Sequence, residues 1–146
     1  MLPKFNKSGN LPKGIHRARF DEIRDVFGSS SARRAWLIVQ LAKIIELAKS
    51  MGKLERVILW GSFVSDKEFP GNLDLLLVMS ADFDLGKLDL EVKRVFNYFE
   101  ARIAFNADVF WTKSSIGYEV INMWLETYQM TRDFKPCGIV EVIIND

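Results

Sequence analysis

The order of apolar and polar residues predicts helices alternating with short strands. Apolar residues recur at three- and four-residue intervals from Arg33 to Met51, the spacing of an amphipathic helix, and Gly52 supplies a stop signal. Further helices are predicted at Phe20–Phe27, at Leu88–Phe99, and after a Ser114 or Ser115 cap. Apolar, β-prone runs predict strands at Arg56–Trp60, Leu73–Met79, Phe105–Trp111 and Gly138–Ile144. The pattern therefore predicts an α/β (α+β) fold with a mixed β-sheet flanked by helices.

Length and composition favour one domain spanning residues 1–146. A chain of 146 residues buries roughly 68–70% of its unfolded surface, so it can form a core without disulfides or zinc. Its single cysteine, Cys137, excludes an internal disulfide and a zinc site built from several Cys and His ligands, and we interpret it as a packing residue. We expect a cytoplasmic protein with no membrane partner, because the sequence has neither a signal-peptide pattern nor a long apolar span.

The net charge of +1 conceals a basic N-terminus and an acidic remainder. Residues 1–34 carry eight Lys and Arg against three Asp and Glu, whereas residues 35–146 carry twelve against sixteen. Residues 1–19 are predicted to be a basic, extended N-terminal arm, since Asn, Ser, Gly and Pro are dense there. Nucleic-acid binding normally also requires a basic folded body, so charge favours a solvated arm over a nucleic-acid partner.

Candidate chemistry lies between Leu59 and Met79 and on the following strand. Gly61-Ser62 ends a predicted strand, where a glycine lets a ligand approach the backbone and a following helical turn can hold phosphate. Taken alone, the pair favours a plain turn over a phosphate site. Asn72 and Asp74 are two positions apart and point to the same side, about 7 Å apart along a strand. Asp74 and Asp108 each interrupt an apolar strand, where a carboxylate needs a partner or a metal. Together these residues predict a divalent-metal site.

The same residues resemble a known superfamily. Gly61-Ser62, a spacer, a polar residue at 72, Asp74 and a later strand residue Asp108 resemble the nucleotidyltransferases that include polymerase beta and the minimal nucleotidyltransferases. The strings LPKGIH, FGSSSARR, GSFVSDKEFPGNLD and TRDFKPCGIVEV, in that order, look like a bacterial family of nucleotidyltransferase-like proteins. The resemblance spans nearly the whole chain and implies a nucleotidyltransferase-like fold.

The resemblance also implies a mechanism. A nucleoside triphosphate (NTP) would be held by Gly61 and Ser62, with Mg²⁺ ions bound by acidic residues, and a hydroxyl would attack the α-phosphate in line. Asp74 and Asp108 would bind metal, but Asn72 stands where the superfamily has its first Asp. An amide is neutral and cannot bridge two ions as a carboxylate does, so we expect the two-ion site to be incomplete and activity to be low or absent. Asp66 and Glu68 in the spacer are interpreted as solvated charges.

Other conspicuous residues have simpler explanations. His16 lies in the N-terminal arm without a neighbouring catalytic group, and Arg33-Arg34 at a helix start is interpreted as a solvated pair in preference to an anion site. The tryptophans fall on predicted core faces, which favours packing over base stacking, with Trp60 and Trp111 next to the predicted site. The tryptophans are Trp36, Trp60, Trp111 and Trp124.

Three functional hypotheses follow. The first is a Mg²⁺-dependent nucleotidyltransferase that modifies a macromolecular acceptor, as antitoxins of the minimal nucleotidyltransferase type modify their toxin partners. The second is a catalytically degraded member that binds nucleotide or a protein partner. The third is an interaction scaffold whose basic arm binds an acidic protein or nucleic acid. Asn72 moves weight from the first towards the second, and the carboxylates on apolar strands argue against the third. The prediction is a weakened nucleotidyltransferase, with the degraded module as the alternative.

Overall fold

The structure is a computed structural model that describes residues 1–144. It contains a five-stranded mixed sheet and five α-helices, which confirms the predicted α+β class. The strands are β1 (Gly14–Ala18), β2 (Leu54–Trp60), β3 (Leu73–Met79), β4 (Ala107–Lys113) and β5 (Gly138–Val142). The helices are α1 (Phe20–Phe27), α2 (Ala32–Lys49), α3 (Leu90–Lys93), α4 (Tyr98–Phe105) and α5 (Tyr118–Tyr128).

The strand order across the sheet is β1-β5-β2-β3-β4. β2 lies antiparallel to both β3 and β5, whereas β1 with β5 and β3 with β4 form parallel pairs. The parallel β3–β4 connection runs through α3 and α4. Because β3 and β4 run in the same direction, their first residues meet at one edge of the sheet, and the predicted site residues lie there.

The two faces of the sheet bury different amounts of apolar surface. One face packs against the helices in the main core, which includes Leu37, Leu41 and Ile44 of α2. The opposite face packs against α5 through Ile121 and Leu125 in a smaller cluster. The smaller cluster does not cover the first residues of β3 and β4 on this face, where the side chains are polar.

The predicted helix at Leu88–Phe99 is wrong as a single element. The chain forms α3, a 3-10 turn at Arg94–Phe96 and then α4. Asn97 is extended, and its side chain accepts a hydrogen bond from Glu100 N at 3.0 Å, so it ends one helical segment and caps the next. Local hydrogen bonding by this asparagine overrides the apolar periodicity.

The start of α5 also differs from the predicted serine cap. Ser114–Ile116 forms a 3-10 turn, and α5 begins after Gly117, whose φ of 110° belongs to a region that favours glycine. The other elements follow the prediction more closely. The bounds of β3 are those predicted, and the other three predicted strands differ by two residues at one or both ends.

The predicted N-terminal arm packs on the body of the protein. Leu11 is fully buried, Leu2 and Phe5 pack against the main core, and Gly14–Ala18 forms β1 beside β5. The lysines at 4, 7 and 13 stay exposed, so the apolar residues fix the segment and its charges face solvent. Within residues 1–144, no helix is long and apolar enough to cross a membrane.

Candidate functional site

A row of three side chains crosses the sheet at the start of β3 and β4. In the strand register, Trp60 pairs with Asp74, and Asp74 pairs with Asp108. Side chains directly opposite each other on neighbouring strands project from the same face. The register therefore brings together two carboxylates that are 34 positions apart in the chain, as the sequence predicts.

These residues line a cleft of about 780 Å³. This volume is in the range of roughly 300–1,000 Å³ that is typical of small-molecule sites. All five residues predicted for the site contribute to its walls, namely Gly61, Ser62, Asn72, Asp74 and Asp108. Residues from distant parts of the chain complete it, including Lys67, Arg102, Tyr128, Thr131 and Arg132.

Gly61 allows the loop after β2 to touch the carboxylate row. Its φ of 81° and ψ of −158° lie in a region that is essentially restricted to glycine. A Cβ at this position would collide with the carboxylate of Asp74. The glycine is therefore required by the Asp74 side chain, whereas the predicted approach of a ligand to this backbone stays a prediction.

The helical turn after Gly61 is short. Ser62–Val64 forms one 3-10 turn, in which Val64 N donates to Gly61 O and Ser65 N to Ser62 O, both at 3.2 Å. These two N–H groups are already used within the turn. Ser62 also lines the cleft.

A buried arginine holds this turn in place. Arg34 is only 2% exposed, and its guanidinium donates to carbonyl oxygens of α1 and of the loop. The acceptors are Phe27 O, Ser62 O, Phe63 O, Ser65 O and Lys67 O, at 2.6–3.3 Å. Burial lowers the pKa of Arg34, and the Asp66 carboxylate opposes that shift. The dense carbonyl contacts show that Arg34 positions the loop.

The solvated pair expected at Arg33-Arg34 is wrong. Arg33 donates to Pro70 O at 3.0 Å and to Gly71 O at 2.6 Å, and its guanidinium lies 5.2 Å from the Trp36 ring centroid. Both arginines therefore bind backbone carbonyls of the segment between β2 and β3. A backbone carbonyl can accept a hydrogen bond from arginine without any nearby carboxylate. The sequence of side chains therefore does not indicate such a partner.

The Asp74–Asp108 pair is electrostatically unfavourable in the absence of a cation. Burial, followed by the negative charge of Asp108, raises the pKa of Asp74 to about 7, although Arg132 and Arg102 oppose the shift. Asp108 Oδ1 is buried without a hydrogen-bond partner among the described residues. A buried carboxylate oxygen is expensive to leave without a hydrogen bond, so this atom is available to water or to a bound cation.

Arg102 lies beside both Asp108 and Asn72. Its Nε is 3.7 Å from Asp108 Oδ1, an ion-pair distance that exceeds a hydrogen bond. The Asn72 oxygen accepts from Asn106 Nδ2 at 2.7 Å, or, with the amide turned over, from Arg102 Nε and Nη2 at 3.1 and 3.3 Å. In either orientation the Asn72 amide is engaged by neighbouring side chains.

The donor set fits one divalent cation better than two. Asp74 and Asp108 offer two carboxylates, one with an unpartnered oxygen, which suits Mg²⁺ that also binds water and substrate phosphate. Residues 1–144 contain no group of three or more His, Cys, Asp and Glu side chains that could hold a metal. Asp66 and Glu68 are exposed and do not line the cleft, in agreement with their interpretation as solvated charges.

An aromatic wall borders the carboxylates. The Trp60 and Tyr128 rings stack at a centroid distance of 3.7 Å and an interplanar angle of 2°, and Phe110 lies 5.9 Å from Trp60. Trp111 faces the other side of the sheet, where it packs against Phe83 and Phe96. The predicted positions next to the site are therefore correct for Trp60 and wrong for Trp111, because successive residues of β4 point to opposite faces.

The remaining residues singled out in the sequence have local roles. The Trp36 prediction is wrong, since this ring is 43% exposed under Arg33. Trp124 packs against the smaller core cluster, as predicted. A ring nitrogen of His16 is hydrogen-bonded to Pro12 O at 2.7 Å, and the residue does not line the cleft. Cys137 is half-buried at the cleft, where burial raises the pKa of its thiol.

Comparison with known proteins identifies a family. Residues 3–143 match the family described as "Family of unknown function (DUF6932)". The chain belongs to the DUF6932 family. No curated protein and no solved structure matches it. The match covers almost all of the described residues, so the sheet, the cleft and the N-terminal segment all belong to the DUF6932 unit.

Sequence reasoning missed several cleft residues, among them Arg102, Tyr128 and Arg132. Arg102 is in the last turn of α4, Tyr128 ends α5, and Arg132 lies in the turn before β5. None of them interrupts an apolar run, which is the signal that exposed Asp74 and Asp108. The one available hint is the string TRDFKPCGIVEV, which contains Arg132 and was part of the family resemblance.

Proposed function

We propose that this chain is a nucleotidyltransferase-like protein that binds a nucleoside triphosphate with Mg²⁺ in the cleft. In this proposal it transfers a nucleoside monophosphate to a macromolecular acceptor, such as a toxin partner, and Asn72 weakens the transfer. One observation carries the proposal: Asp74 and Asp108 are paired across β3 and β4 beside Gly61-Ser62, and a buried Asp108 oxygen lacks a partner. The resemblance of the sequence to nucleotidyltransferases further supports the proposal and extends it to a nucleotidyltransferase-like fold.

Each part of the cleft has a role in the proposed reaction. Ser62 would bind a phosphate oxygen, Arg132 and Lys67 would offset triphosphate charge, and Asp74 and Asp108 would hold Mg²⁺. Bound Mg²⁺ supplies charge neutralisation at the reacting phosphate. An acceptor hydroxyl oxygen forms a bond to the α-phosphorus, the bond from that phosphorus to the bridging oxygen breaks, pyrophosphate leaves, and the hydroxyl proton passes to solvent.

A second function is favoured by the surroundings of Asn72. Because its amide is engaged by Asn106 or Arg102, it is poorly available to a metal. A cleft that retains phosphate-binding groups but lacks the third carboxylate suits a catalytically degraded protein that binds nucleotide or a protein partner. The two candidates agree on nucleotide binding and differ on transfer.

Calorimetry tests the nucleotide binding that both candidates share. ATP, GTP, CTP and UTP are titrated separately with Mg²⁺ into the native chain, Asp74→Ala, and the matched control Asp84→Ala, whose residue lies on an exposed turn. We expect at least one nucleotide to bind the native chain and Asp84→Ala equally, and to bind Asp74→Ala about tenfold more weakly or worse. Binding that Asp74→Ala leaves unchanged, or no binding at all, would contradict the proposal.

Transfer distinguishes the enzyme from the binding module. Native chain and Asn72→Asp are incubated with α-labelled nucleotides and a cell lysate, and labelled macromolecules are separated. We expect weak labelling with the native chain and stronger labelling with Asn72→Asp, because the added carboxylate increases metal affinity. Vigorous labelling that Asn72→Asp does not increase would show that Asn72 is no defect. Nucleotide binding without labelling by either chain would favour the degraded module.

A further inference from the structure

The connection between α4 and β4 places a cation beside the carboxylate row. Asn106 adopts a left-handed conformation, with φ 54° and ψ 45°, and its N–H donates to Arg102 O at 3.1 Å. This residue ends α4 and is followed at once by β4, with Asp108 two positions later. The tight turn fixes the last turn of the helix against the start of the strand, so Arg102 stands over Asp108.

Asn106 also ties this turn to β3. Its Nδ2 donates to Gly71 O at 3.2 Å and lies 2.7 Å from Asn72 Oδ1, and Leu73 N donates to Asn106 O at 3.0 Å. Arg102, Asn72 and Asp108 are therefore held together by backbone and side-chain contacts. Arg102 Nε is adjacent to both, at 3.1 Å from the Asn72 oxygen when the amide is turned over and at 3.7 Å from Asp108 Oδ1.

The residue types at 72 and 102 are electrostatically matched. With its amide turned over, Asn72 gives Arg102 a neutral acceptor at 3.1 Å, which leaves the guanidinium charge to act on Asp108. An aspartate at position 72 would meet the same guanidinium at ion-pair distance. It would pair with Arg102 and neutralise its charge, which would tighten binding of the first cation but would not leave the carboxylate free to hold a second.

We propose that Arg102 limits the cleft to one divalent cation, because its guanidinium takes the place beside residue 72 and Asp108 that a second cation requires. The inference rests on the proposed function, since it assumes that Asp74 and Asp108 hold a metal. It assigns Arg102 a positioning role within that site. Asn72 and Arg102 therefore act together. Replacement of either residue alone should not restore a two-ion site.

Titration with Mn²⁺, monitored by electron paramagnetic resonance, tests the proposal by metal binding and does not depend on activity. The variants are Arg102→Gln, which removes the charge, Arg102→Lys, which keeps it, and Arg132→Gln, a matched control from the same cleft. We expect Arg102→Gln to bind one Mn²⁺ about tenfold more tightly than the native chain, and Arg102→Lys to remain within about threefold of it. Arg132→Gln controls for the general loss of a positive charge from the cleft, since Arg132 acts on Asp74, whereas Arg102 Nε pairs with Asp108 Oδ1.

A double-mutant cycle supplies the decisive comparison. Asn72→Asp alone should still bind one Mn²⁺, because the new carboxylate pairs with Arg102, whereas Asn72→Asp with Arg102→Gln should bind two, with spin coupling between them. The gain in Mn²⁺ affinity of the double variant should exceed the product of the gains of the two single variants by about tenfold. Asn72→Asp with Arg132→Gln should show no such excess, and circular dichroism should show that every variant is folded.

Three results would overturn the inference: two Mn²⁺ in Asn72→Asp alone, equal affinities in Arg102→Gln and Arg102→Lys, or fewer than two Mn²⁺ in the double variant. The proposed function is judged separately by nucleotide calorimetry with Asp74→Ala. Nucleotide binding that depends on Asp74, together with a single Mn²⁺ in the double variant, would retain the proposed function and reject the role of Arg102.

Discussion

Two polar clusters meet at the same end of the sheet, and they differ in how fully their groups are paired. Arg34 is almost completely buried, and five backbone carbonyls accept hydrogen bonds from its guanidinium. Asp74 and Asp108 are only half-buried, yet they repel each other and leave Asp108 Oδ1 without a partner. A satisfied buried network holds a loop in one conformation, whereas an unsatisfied one marks a place for a ligand.

Loss of Arg34 should give the largest change. Arg34→Ala removes the donor to the carbonyls of the Ser62–Val64 turn and leaves several of them buried without a partner. We expect the free energy of unfolding to fall by about 3–5 kcal/mol, measured by urea denaturation. The neighbouring Arg33→Ala is the matched control, since Arg33 is less buried and has two acceptors, and should cost about 1 kcal/mol. Equal losses would refute the distinction between the two arginines.

Gly61→Ala should have the next largest effect, because Gly61 joins the two clusters. The substitution forces alanine into a φ of 81° and drives its Cβ into the Asp74 carboxylate. We expect a loss of about 2–3 kcal/mol in unfolding free energy and weaker nucleotide binding. Gly71→Ala is the control, since no heavy atom lies within 4 Å of its added Cβ and its φ is not positive. A stable Gly61→Ala with native nucleotide affinity would contradict the close approach.

Asp74→Asn should stabilise the protein at high pH. The folded-state pKa of Asp74 is raised from 3.8 to about 7, so the folded chain holds this proton more tightly than the unfolded chain. Stability contributed by the protonated group is therefore present below pH 4 and is lost as the pH rises to about 7. We expect the free energy of unfolding of Asp74→Asn to exceed that of the native chain by about 1–3 kcal/mol at pH 8 without metal, and by little at pH 4.

Asp82→Asn provides the control for that pH dependence. Hydrogen bonds from Lys53 and Ser80 lower the pKa of Asp82 to about 2, so removal of its carboxylate should give no gain as the pH rises. Urea denaturation at several pH values in metal-free buffer compares the two variants. If the free energy of unfolding of Asp74→Asn, relative to the native chain, does not increase between pH 4 and pH 8, the two carboxylates do not repel each other as the structure indicates.

The candidate site could be predicted from sequence to the extent that a residue violates its local pattern. Asp74 and Asp108 interrupt apolar strands, and Gly61-Ser62 follows one, so each was visible without a structure, and all line one cleft. Arg102 and Tyr128 lie on helix surfaces where such residues are ordinary. Their presence in the cleft depends on the turn at Asn106 and on the packing of α5, neither of which has a periodic signal.

The same distinction applies to the fold. Apolar periodicity determined α2 and β3 because burial of one helix face or of a whole strand requires many consecutive residues to agree. It failed at Leu88–Phe99, where one asparagine cap divides the segment. The solvated pair expected at Arg33-Arg34 was wrong for another reason, since both arginines bind backbone carbonyls of the segment between β2 and β3. Backbone acceptors are present at every residue, so a side-chain sequence cannot show which of them an arginine will bind.

The sequence by itself determined the α+β class, the main helix and the central strands, and it singled out five residues that line one cleft. Tertiary structure alone decided the strand order, the register that pairs Asp74 with Asp108, and the position of Arg102 between Asp108 and Asn72. The physical reason is range: local patterns encode which face of an element is buried, whereas the charge balance of a site depends on side chains that only folding brings together.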